Sequence, residues 1–410
     1  MLRIVSSTDH DAVRELLSST RVRDTRTERR AAEIVGRVRR RGDAALVEYA
    51  RTLDGLDGPL EIPQSRWRAD ARRLPSAARK AINDAATNIR RVARAQVPRP
   101  WRLRVSAGVS VEQRVVPLER VGCYVPGGRY PLPSSLLMTA LPARAAGVGE
   151  IVAVCPRIDP VVLAAALEAE VDRLFHVGGA HAVAALAYGT ATIPRVDKIV
   201  GPGNRWVSAA KALVSSDCAI DFYAGPTEIV IVTDRGPAQW IAADLMAQAE
   251  HDPDARAVLV TSNETLAREV ASRVERVLPA RGTARESLAR HGGIILTQSM
   301  DDAIALANDA APEHLVVSTE RLANKVRAAG AVFVGPWSAQ VAGDYAIGSN
   351  HVLPTAGTAR FRGGLTAADF VRVISVQRLT PNGLRRLAPT VTTLARAEGL
   401  EGHAASIDVR

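Results

Sequence analysis

Short apolar runs typical of strands alternate with helical segments between about residues 119 and 335, and this alternation constrains the fold more than any other feature. Neighbouring parallel strands need a crossover connection, which is usually a helix, so the alternation predicts parallel sheets covered on both faces. The pattern divides near residue 235. We therefore expect an α/β protein with two parallel-sheet lobes.

The predicted elements follow from hydrophobic periodicity and β-branched runs. The first stretch contains the strands Val121–Val125, Ile151–Cys155, Leu174–Val177, Lys198–Val200, Ala219–Phe222 and Ile229–Val232, with the helices Ser134–Ala146, Val161–Glu170, His181–Tyr188 and Arg205–Val214. The second contains the strands Ala257–Val260, Ile294–Leu296 and Val332–Val334, with the helices Gln239–Glu250, Thr265–Leu278, Met300–Asp309 and Arg321–Ala328.

Four segments are expected along the chain. Residues 1–100 are mostly helical, with helical spacing over Glu28–Ala50 and Ser76–Ala95, and they end at Pro98-Arg-Pro100. Residues 101–235 form the first lobe and open with hairpin-like alternation over Val109–Val116, and residues 236–335 form the second lobe. Residues 336–410 form a distinct C-terminal segment, in which Ala368–Gln377 is a strand or a short helix and Gly383–Glu398 is a helix.

The composition excludes several classes of protein. The chain has 410 residues, 47% hydrophobic and 23% charged, which is typical of a globular protein and not of a disordered one. The longest apolar runs, such as Val161–Leu167, are too short to span a membrane, and Met1–Leu17 lacks the apolar core of a signal peptide. Three cysteines without a CxxC pair favour a reducing, cytoplasmic location.

The net charge of +10 raises the question of nucleic-acid binding. The densest basic segment, Arg21–Arg41, also contains Asp24, Glu28 and Glu33, so we interpret it as a solvated helix surface, with a polyanion-binding patch as the alternative. Aromatic residues make up only 4% of the chain, which argues against base-stacking platforms. We expect neither a nucleic-acid nor a membrane partner.

Three glycine-rich turns each follow a predicted strand and precede a helix: Val125–Pro131, Val177–His181 and Gly201–Asn204. Ligands of open α/β sheets bind where strands end at their carboxyl termini, and helix N-termini there favour anions. One such turn alone is an ordinary turn, whereas three in one lobe favour a cofactor that carries phosphate. Both interpretations stay open from the residues alone.

A set of imidazole, carboxylate and amide side chains lies mostly outside those turns. Gln248 and His251 share a helix face, and Glu313 and His314 are adjacent. The remaining members are Asp344, His351, Glu398 and His403. Each alone is most simply a structural or solvated residue, but together they offer ligands for a divalent metal such as Zn²⁺ and two bases of different pKa. From the residues, the hypothesis is metal-assisted chemistry on a nucleotide-binding scaffold.

Eight ordered motifs resemble those of the histidinol dehydrogenase family, and the resemblance covers about residues 20–410. The motifs are Val121–Gly128, Val196–Asn204, Ala224–Ile229, Asp244–His251, Ala311–Leu315, Gly343–Tyr345, Asn350–Thr355 and Ala397–His403. Membership of this family implies oxidation of L-histidinol to L-histidine through histidinal with two NAD⁺, the last step of histidine biosynthesis. It also implies two incomplete Rossmann-like lobes and a homodimer that exchanges its C-terminal segment and shares its active sites.

The resemblance also implies roles for individual residues. The implied zinc ligands are Gln248, His251, Asp344 and His403, with His403 donated by the partner subunit, and the implied catalytic pair is Glu313 and His314. The implied substrate contacts are the four zinc ligands together with Thr227, His314, His351 and Glu398. The implied NAD contacts are Tyr124, His181 and Asn204. In this mechanism one zinc ion per site activates the alcohol, His314 takes its proton and Glu313 activates water for the aldehyde step. None of the cysteines is expected to act covalently.

Three residues depart from the family pattern. Thr227 stands where the family usually has Ser, and His181 where it often has Gln. Gln340 stands where several members have a Glu that can meet the substrate's ammonium, which a neutral amide holds less strongly. Gln340 and Thr227 leave open a paralogue that uses zinc and NAD on another alcohol, such as a sulfonated diol, whereas His181 bears only on NAD binding. A catalytically inactive nucleotide- or nucleic-acid-binding protein is the third hypothesis, which the intact set of ligands and bases opposes.

Overall fold

The computed structural model describes residues 2–18, 24–127, 130–223 and 225–410. Arg21, Gly128 and Ala224, which belong to segments discussed above, lie outside the described residues. Helices and strands alternate over most of the chain, as the sequence predicts.

The bounds of the elements are as follows. The strands are β1 Arg3–Ser6, β2 Trp101–Ser106, β3 Val109–Pro117, β4 Arg120–Tyr124, β5 Glu150–Cys155, β6 Arg173–His176, β7 Lys198–Val200, β8 Ala219–Ile220, β9 Glu228–Val232, β10 Arg256–Thr261, β11 Gly292–Leu296, β12 His314–Val317, β13 Ala331–Val334 and β14 Val371–Leu379. The helices are α1 His10–Leu17, α2 Thr25–Arg41, α3 Asp43–Leu53, α4 Gln64–Arg72, α5 Ser76–Gln96, α6 Pro133–Ala145, α7 Pro160–Glu168, α8 Gly179–Tyr188, α9 Arg205–Val214, α10 Ala238–Ala249, α11 Glu264–Val277, α12 Thr283–His291, α13 Met300–Ala310, α14 Glu320–Ala323, α15 Gln340–Tyr345, α16 Pro381–Ala397 and α17 Glu401–Asp408. Among the helices of the described ranges, none is long and apolar enough to cross a membrane.

Two parallel sheets carry most of the fold. The five-stranded sheet has the order β6-β5-β4-β7-β8, and the six-stranded sheet has the order β1-β11-β10-β9-β12-β13. Every strand pair in both sheets is parallel. The predicted α/β class with two parallel-sheet lobes is therefore confirmed.

Each parallel sheet has a hydrophobic core on both faces. In β9, Ile229 and Ile231 belong to one buried cluster, whereas Val230 and Val232 belong to the other. The same alternation occurs in β5. Because successive side chains of a strand point to opposite faces, a continuous apolar run is what a strand buried on both faces requires.

The sheets divide the chain differently from the boundaries expected at residues 100 and 235. We expected residues 1–100 to form a mostly helical segment of their own, but β1 within them is an edge strand of the six-stranded sheet. The strand β9, expected in the first lobe, lies between β10 and β12 at the centre of the second sheet. Sheet membership depends on pairing with strands far away in the sequence, which local periodicity does not encode.

Several local predictions also need correction. The helical spacing over Glu28–Ala50 belongs to two helices, α2 and α3, because Gly42 between them adopts a φ of +55° that ends α2. The predicted helix Arg321–Ala328 is the short α14. Local sequence patterns did not predict β1, β12, α4, α12, α15 or α17.

A third, antiparallel sheet joins distant parts of the chain. Its order is β14-β3-β2, so the predicted hairpin before the first lobe pairs with a strand from the C-terminal segment. The segment predicted as a strand or a short helix contains both, a 3₁₀ helix over Ala367–Phe370 and then β14. Two helices, α16 and α17, follow this sheet and pack against each other.

The guanidinium of Arg256 attaches the N-terminal segment to the six-stranded sheet. It donates to the backbone oxygens of Glu15, Leu16 and Ser18 at 2.7, 2.5 and 3.1 Å, and Arg256 is only 9% exposed.

We expect Arg256→Met to lower the free energy of unfolding by about 2–3 kcal/mol, because these carbonyls at the end of α1 lose a charged donor. Urea denaturation measures the change. Arg14→Met, at an exposed pair with Asp11, is the control and should cost about 0.5 kcal/mol or less; equal losses in the two variants would contradict the prediction.

Candidate functional site

The predicted catalytic pair lies at the amino edge of the six-stranded sheet. His314 is the first residue of β12 and pairs in register with Ile229 of β9, so Glu313 lies beside the start of β9. The glycine-rich turns lie instead at a carboxyl edge, where strands of the five-stranded sheet end. The two sets of candidate residues therefore come from different lobes.

The carboxylate of Glu313 is buried and held by two donors. Its Oε2 accepts hydrogen bonds from the Thr227 hydroxyl at 2.5 Å and from the backbone N–H of Glu228 at 2.9 Å. Glu313 is 6% exposed, and this burial raises its pKa, although the charge of His314 and the two hydrogen bonds oppose the shift. A carboxylate whose pKa is raised towards neutrality is suited to act as a general base.

His314 has a defined tautomer. Its Nδ1 lies 3.1 Å from the backbone oxygen of Glu228, to which it donates, so Nε2 carries the lone pair. That Nε2 atom is buried, has no hydrogen-bond partner and lies 3.7 Å from Oδ1 of Asp344. Burial lowers the pKa of His314, but the nearby carboxylates outweigh it, and the net pKa is raised. The ring can therefore take a proton at Nε2, where Asp344 faces it, while Glu313 lies 3.6 Å from Nδ1 on the other side of the ring.

Asp344 lies on the short helix α15, and hydrogen bonds to its carboxylate and to its backbone oxygen orient it. The amide of Gln340 donates to Oδ2 at 2.7 Å, and His351 donates from Nδ1 to the backbone oxygen of Asp344 at 2.9 Å. Burial raises the pKa of Asp344, but its interactions with His314, His351 and Gln340 lower it below the ordinary value. Oδ1 therefore stays charged on the side that faces His314.

Gln248 and His251 approach the same place from the end of α10. Gln248 is fully buried; its Nε2 donates to the Thr227 hydroxyl at 2.6 Å, and its Oε1 has no partner. His251 directs Nδ1 towards the backbone oxygen of Ala247 at 3.1 Å, which leaves the lone pair on Nε2. Burial lowers the pKa of His351, and this effect outweighs the opposing charge of Asp344.

These donors suit a zinc ion. Oε1 of Gln248, Nε2 of His251 and Oδ1 of Asp344 are an amide oxygen, an imidazole nitrogen and a carboxylate oxygen, all of them zinc-binding atoms. A metal ion bound to Oε1 of Gln248 would explain why this atom is buried without a hydrogen-bond partner. Within the described ranges no group of three or more His, Cys, Asp or Glu side chains could hold a metal, and the set proposed here includes an amide, Gln248, in place of one such side chain.

Glu398 and His403 are not brought to this site within one chain. Glu398 ends α16, His403 lies on α17, and both are exposed. Among the residues that the structure describes, no hydrogen bond or ion pair joins either side chain to Gln248, His251 or Asp344. Within the described part of one chain, His403 is therefore not shown beside Gln248, His251 and Asp344, and its role as a fourth ligand stays a prediction.

The predicted NAD contacts surround the glycine turns, but two of them are buried. The hydroxyl of Tyr124 accepts from the N–H of Gly179 at 3.0 Å, and Tyr124 is 3% exposed. His181 is 1% exposed and bonds through Nε2 to Asp54 at 2.7 Å. Asn204 is exposed and caps α9 through its side-chain oxygen. Direct contact of these residues with NAD remains a prediction.

Residues that sequence reasoning missed support these turns. Asp54 also accepts from the N–H of Gly178 at 2.9 Å, so the loop after α3 stabilises the turn that begins α8. Beneath the next turn, Asp221 accepts from the N–H of Gly201 at 2.8 Å and forms a buried ion pair with Lys211. Neither aspartate belongs to a recognisable motif, although Asp54 precedes a Gly-rich turn in the sequence.

A short connection in the chain links the five-stranded sheet to the amino edge of the six-stranded sheet. The strand β8 ends at the carboxyl edge of the five-stranded sheet, and the segment 221–227 leads to the amino end of β9. A connection from the C-terminal segment closes the junction: Thr355 accepts from the N–H of Gly225 at 2.6 Å, and the N–H of Ala356 donates to Glu228 at 3.0 Å. These two hydrogen bonds join the C-terminal segment to the start of β9, where Thr227 and Glu228 hold Glu313.

Comparison with known proteins agrees with this geometry. The family model for histidinol dehydrogenase matches residues 17–410. The histidinol dehydrogenase of Bordetella parapertussis is 46% identical over 97% of this chain and 94% of its own length, and that of Thermus thermophilus is 48% identical over 92% and 93%. The crystal structure of histidinol dehydrogenase from Elizabethkingia anophelis superposes with a TM-score of 0.94 at 30% identity, covering 100% of this chain and 97% of that one.

The cysteines should be unreactive in the folded protein. All three are buried, and burial raises the pKa of Cys123 and of Cys155 to about 12 and that of Cys218 to about 11. We expect a disulfide reagent such as DTNB at pH 8 to titrate none of them before unfolding in guanidinium and all of them afterwards, because the thiolate is the reactive form. Rapid reaction of one thiol in the native protein, with loss of dehydrogenase activity, would contradict this expectation.

Proposed function

The chain belongs to the histidinol dehydrogenase family of oxidoreductases, and from that premise we propose that it oxidises L-histidinol to L-histidine, through histidinal, with two NAD⁺ and one zinc ion per site. This is the last step of histidine biosynthesis. The observation that supports the proposal most directly is the buried pair of Glu313 and His314, which faces Asp344 and is joined to Gln248 through the Thr227 hydroxyl.

His314 is the base for the alcohol. Its Nε2 carries the lone pair and lacks a partner, so it can accept the hydroxyl proton of a bound alcohol. The imidazolium that forms is stabilised by Glu313 and Asp344, which already raise the pKa of this ring. Loss of the proton would accompany departure of hydride from the carbinol carbon, and NAD⁺, which the residues of the glycine turns would hold, would supply the acceptor.

Glu313 is the base for the second oxidation. The aldehyde must be hydrated before a second hydride can leave, and a carboxylate with a raised pKa can take the proton of the attacking water. The donors Thr227 and Glu228 both bond to Oε2, which leaves Oε1 available for that water. The pair thus provides one base for each half-reaction.

Gln248, His251 and Asp344 would hold the zinc ion, with His403 of the partner subunit as the fourth ligand. When bound, zinc supplies Lewis-acid polarisation of the alcohol and lowers its pKa. Thr227, His351 and, from the partner, Glu398 complete the proposed substrate contacts. His351 is well placed for this role because it bonds to the backbone of Asp344.

An exposed apolar face supports the proposed homodimer. In the antiparallel sheet, Trp101, Leu103 and Val105 of β2 are 48–59% exposed, and Val373 on the opposite edge strand, β14, is 57% exposed. Apolar side chains in this number on an edge strand favour coverage by another chain. The helices that carry Glu398 and His403 follow this sheet in the chain, and the proposal is that a second copy covering it receives both residues at its own site.

A paralogous dehydrogenase acting on another alcohol is the second candidate. Gln340 favours it, because this residue is 1% exposed beside Asp344 and its neutral amide adds no charge to attract a substrate ammonium. The stoichiometry of oxidation separates the two candidates.

On zinc-loaded protein, we expect two NADH for each L-histidinol consumed, and no NADH after treatment with a chelator. The yield can be followed by absorbance at limiting substrate. A folded dimer with bound zinc that forms no NADH from L-histidinol would favour the paralogue, and sulfonated diols would then be the first alternative substrates.

Glu313→Gln should separate the two half-reactions. We expect oxidation of histidinal to slow by about 10²–10⁴-fold, because the general base for water is lost, whereas oxidation of histidinol slows much less. Single-turnover rates with each substrate measure the two steps separately. Equal losses in both steps would contradict the assigned role.

Two inactive variants should complement each other if the site is shared. His314→Asn removes the base from the site of its own subunit, whereas His403→Asn removes the ligand that its subunit provides to the partner's site. In a mixed dimer, one site combines both defects and the other has neither, so random mixing should restore about a quarter of wild-type activity. Co-expression with two affinity tags isolates the mixed dimer. If it stays inactive although it forms, His403 does not act across the interface.

A further inference from the structure

The hydroxyl of Thr227 lies between the proposed general base and a proposed metal ligand. Its Oγ1 is 2.5 Å from Oε2 of Glu313 and 2.6 Å from Nε2 of Gln248. We infer that Thr227 is a positioning residue, whose hydroxyl turns the Gln248 amide so that Oε1 and not Nε2 faces the metal. This inference rests on the proposed function.

The direction of the hydrogen bonds follows from the number of available protons. An ionised carboxylate only accepts, and 2.5 Å is typical of a hydroxyl that donates to a carboxylate. Thr227 has a single O–H proton, which is therefore used by Glu313. The remaining bond to Gln248 requires a donor from the amide, and only its N–H₂ group can provide one.

The other amide orientation is unfavourable at this position. It would place Oε1 of Gln248 against the lone pairs of the Thr227 oxygen, with no proton between them. It would also point two N–H donors to the place where Oε1 is now buried without a partner. Because Gln248 is fully buried, water cannot compensate for either change. The Glu313–Thr227–Gln248 chain therefore selects the amide orientation that a cation requires.

The same chain limits how Thr227 can contact the substrate. Its proton is used by Glu313 and one lone pair accepts from Gln248, so the hydroxyl has only a second lone pair left. Thr227 can therefore accept from a substrate N–H but cannot donate to the substrate. This is compatible with a substrate that carries an imidazole and an ammonium group.

Metal affinity of hydroxyl variants tests the inference. The probe is Co²⁺ alone, added to the metal-free dimer, with its affinity taken from competition with a chelator and its ligand field from the visible spectrum. Thr227→Ser keeps the hydroxyl and should bind Co²⁺ within about threefold of wild type. Thr227→Val keeps the shape without the proton or the acceptor and should bind about 10–100-fold more weakly, with an altered spectrum, as expected when a residue that orients a ligand is lost.

A matched control separates positioning from general destabilisation. Thr233 lies just beyond the other end of β9, where its hydroxyl donates to the backbone oxygen of Arg235 at 2.6 Å and it is 5% exposed. We expect Thr233→Val to lower the unfolding temperature without changing Co²⁺ affinity. Thr227→Ala removes the hydroxyl with less crowding and serves beside Thr227→Val, with circular dichroism to confirm folding.

The outcomes distinguish this inference from the proposed function. If the wild-type dimer binds Co²⁺ and both hydroxyl-free variants bind it equally well with an unchanged spectrum, the positioning role is wrong, whereas the metal site stands. If the wild-type dimer does not bind Co²⁺ at all, both the metal site and the positioning role are wrong. Weak binding in Thr227→Val and Thr227→Ala, with recovery in Thr227→Ser, supports the inference.

Discussion

The parallel register between β9 and β12 is the constraint on which the site depends. It pairs His314 with Ile229 and so brings Glu313 beside Thr227 and the backbone N–H of Glu228. A slip of one residue would exchange the two faces of β12 and separate the carboxylate from both donors. The hydrophobic clusters on the two faces of this sheet hold the register, since each strand must present alternate side chains to different cores.

The site uses polar atoms that the fold leaves without partners. Most buried polar groups in proteins are hydrogen-bonded, and leaving one unpaired costs about 1–3 kcal/mol. Here Oε1 of Gln248 and Nε2 of His314 are buried and unpaired within one small region, and Oε1 of Gln340 is unpaired beside Asp344. Their neighbouring atoms are all engaged, which gives the unpaired atoms a defined direction. The unpaired atoms lower the stability of the fold, but they leave lone pairs with which the proposed site can bind ligands.

Local sequence patterns predicted the elements whose signal is complete in the chain itself. The strand β7 and the helix α9 have the predicted bounds, because a β-branched run and an Asn cap mark them clearly. The strand β12 was missed because it is short and begins with the polar His314. The helix α17 was missed because Glu401–Asp408 is short and has no side-chain cap to mark its start. Asp54 carried no motif, since it acts only through contact with a turn far along the chain.

By itself, the sequence determined the α/β class, the family resemblance and the identity of the side chains with useful chemistry, because periodicity and motifs are local properties. Only the tertiary structure decided that β1 and β9 belong to the six-stranded sheet and that Glu313 and His314 lie at its amino edge. It also decided which atoms of Gln248 and His314 are engaged and which remain unpaired. These features depend on strand pairing and on hydrogen bonds between residues far apart in the chain, and no local pattern of residues specifies either.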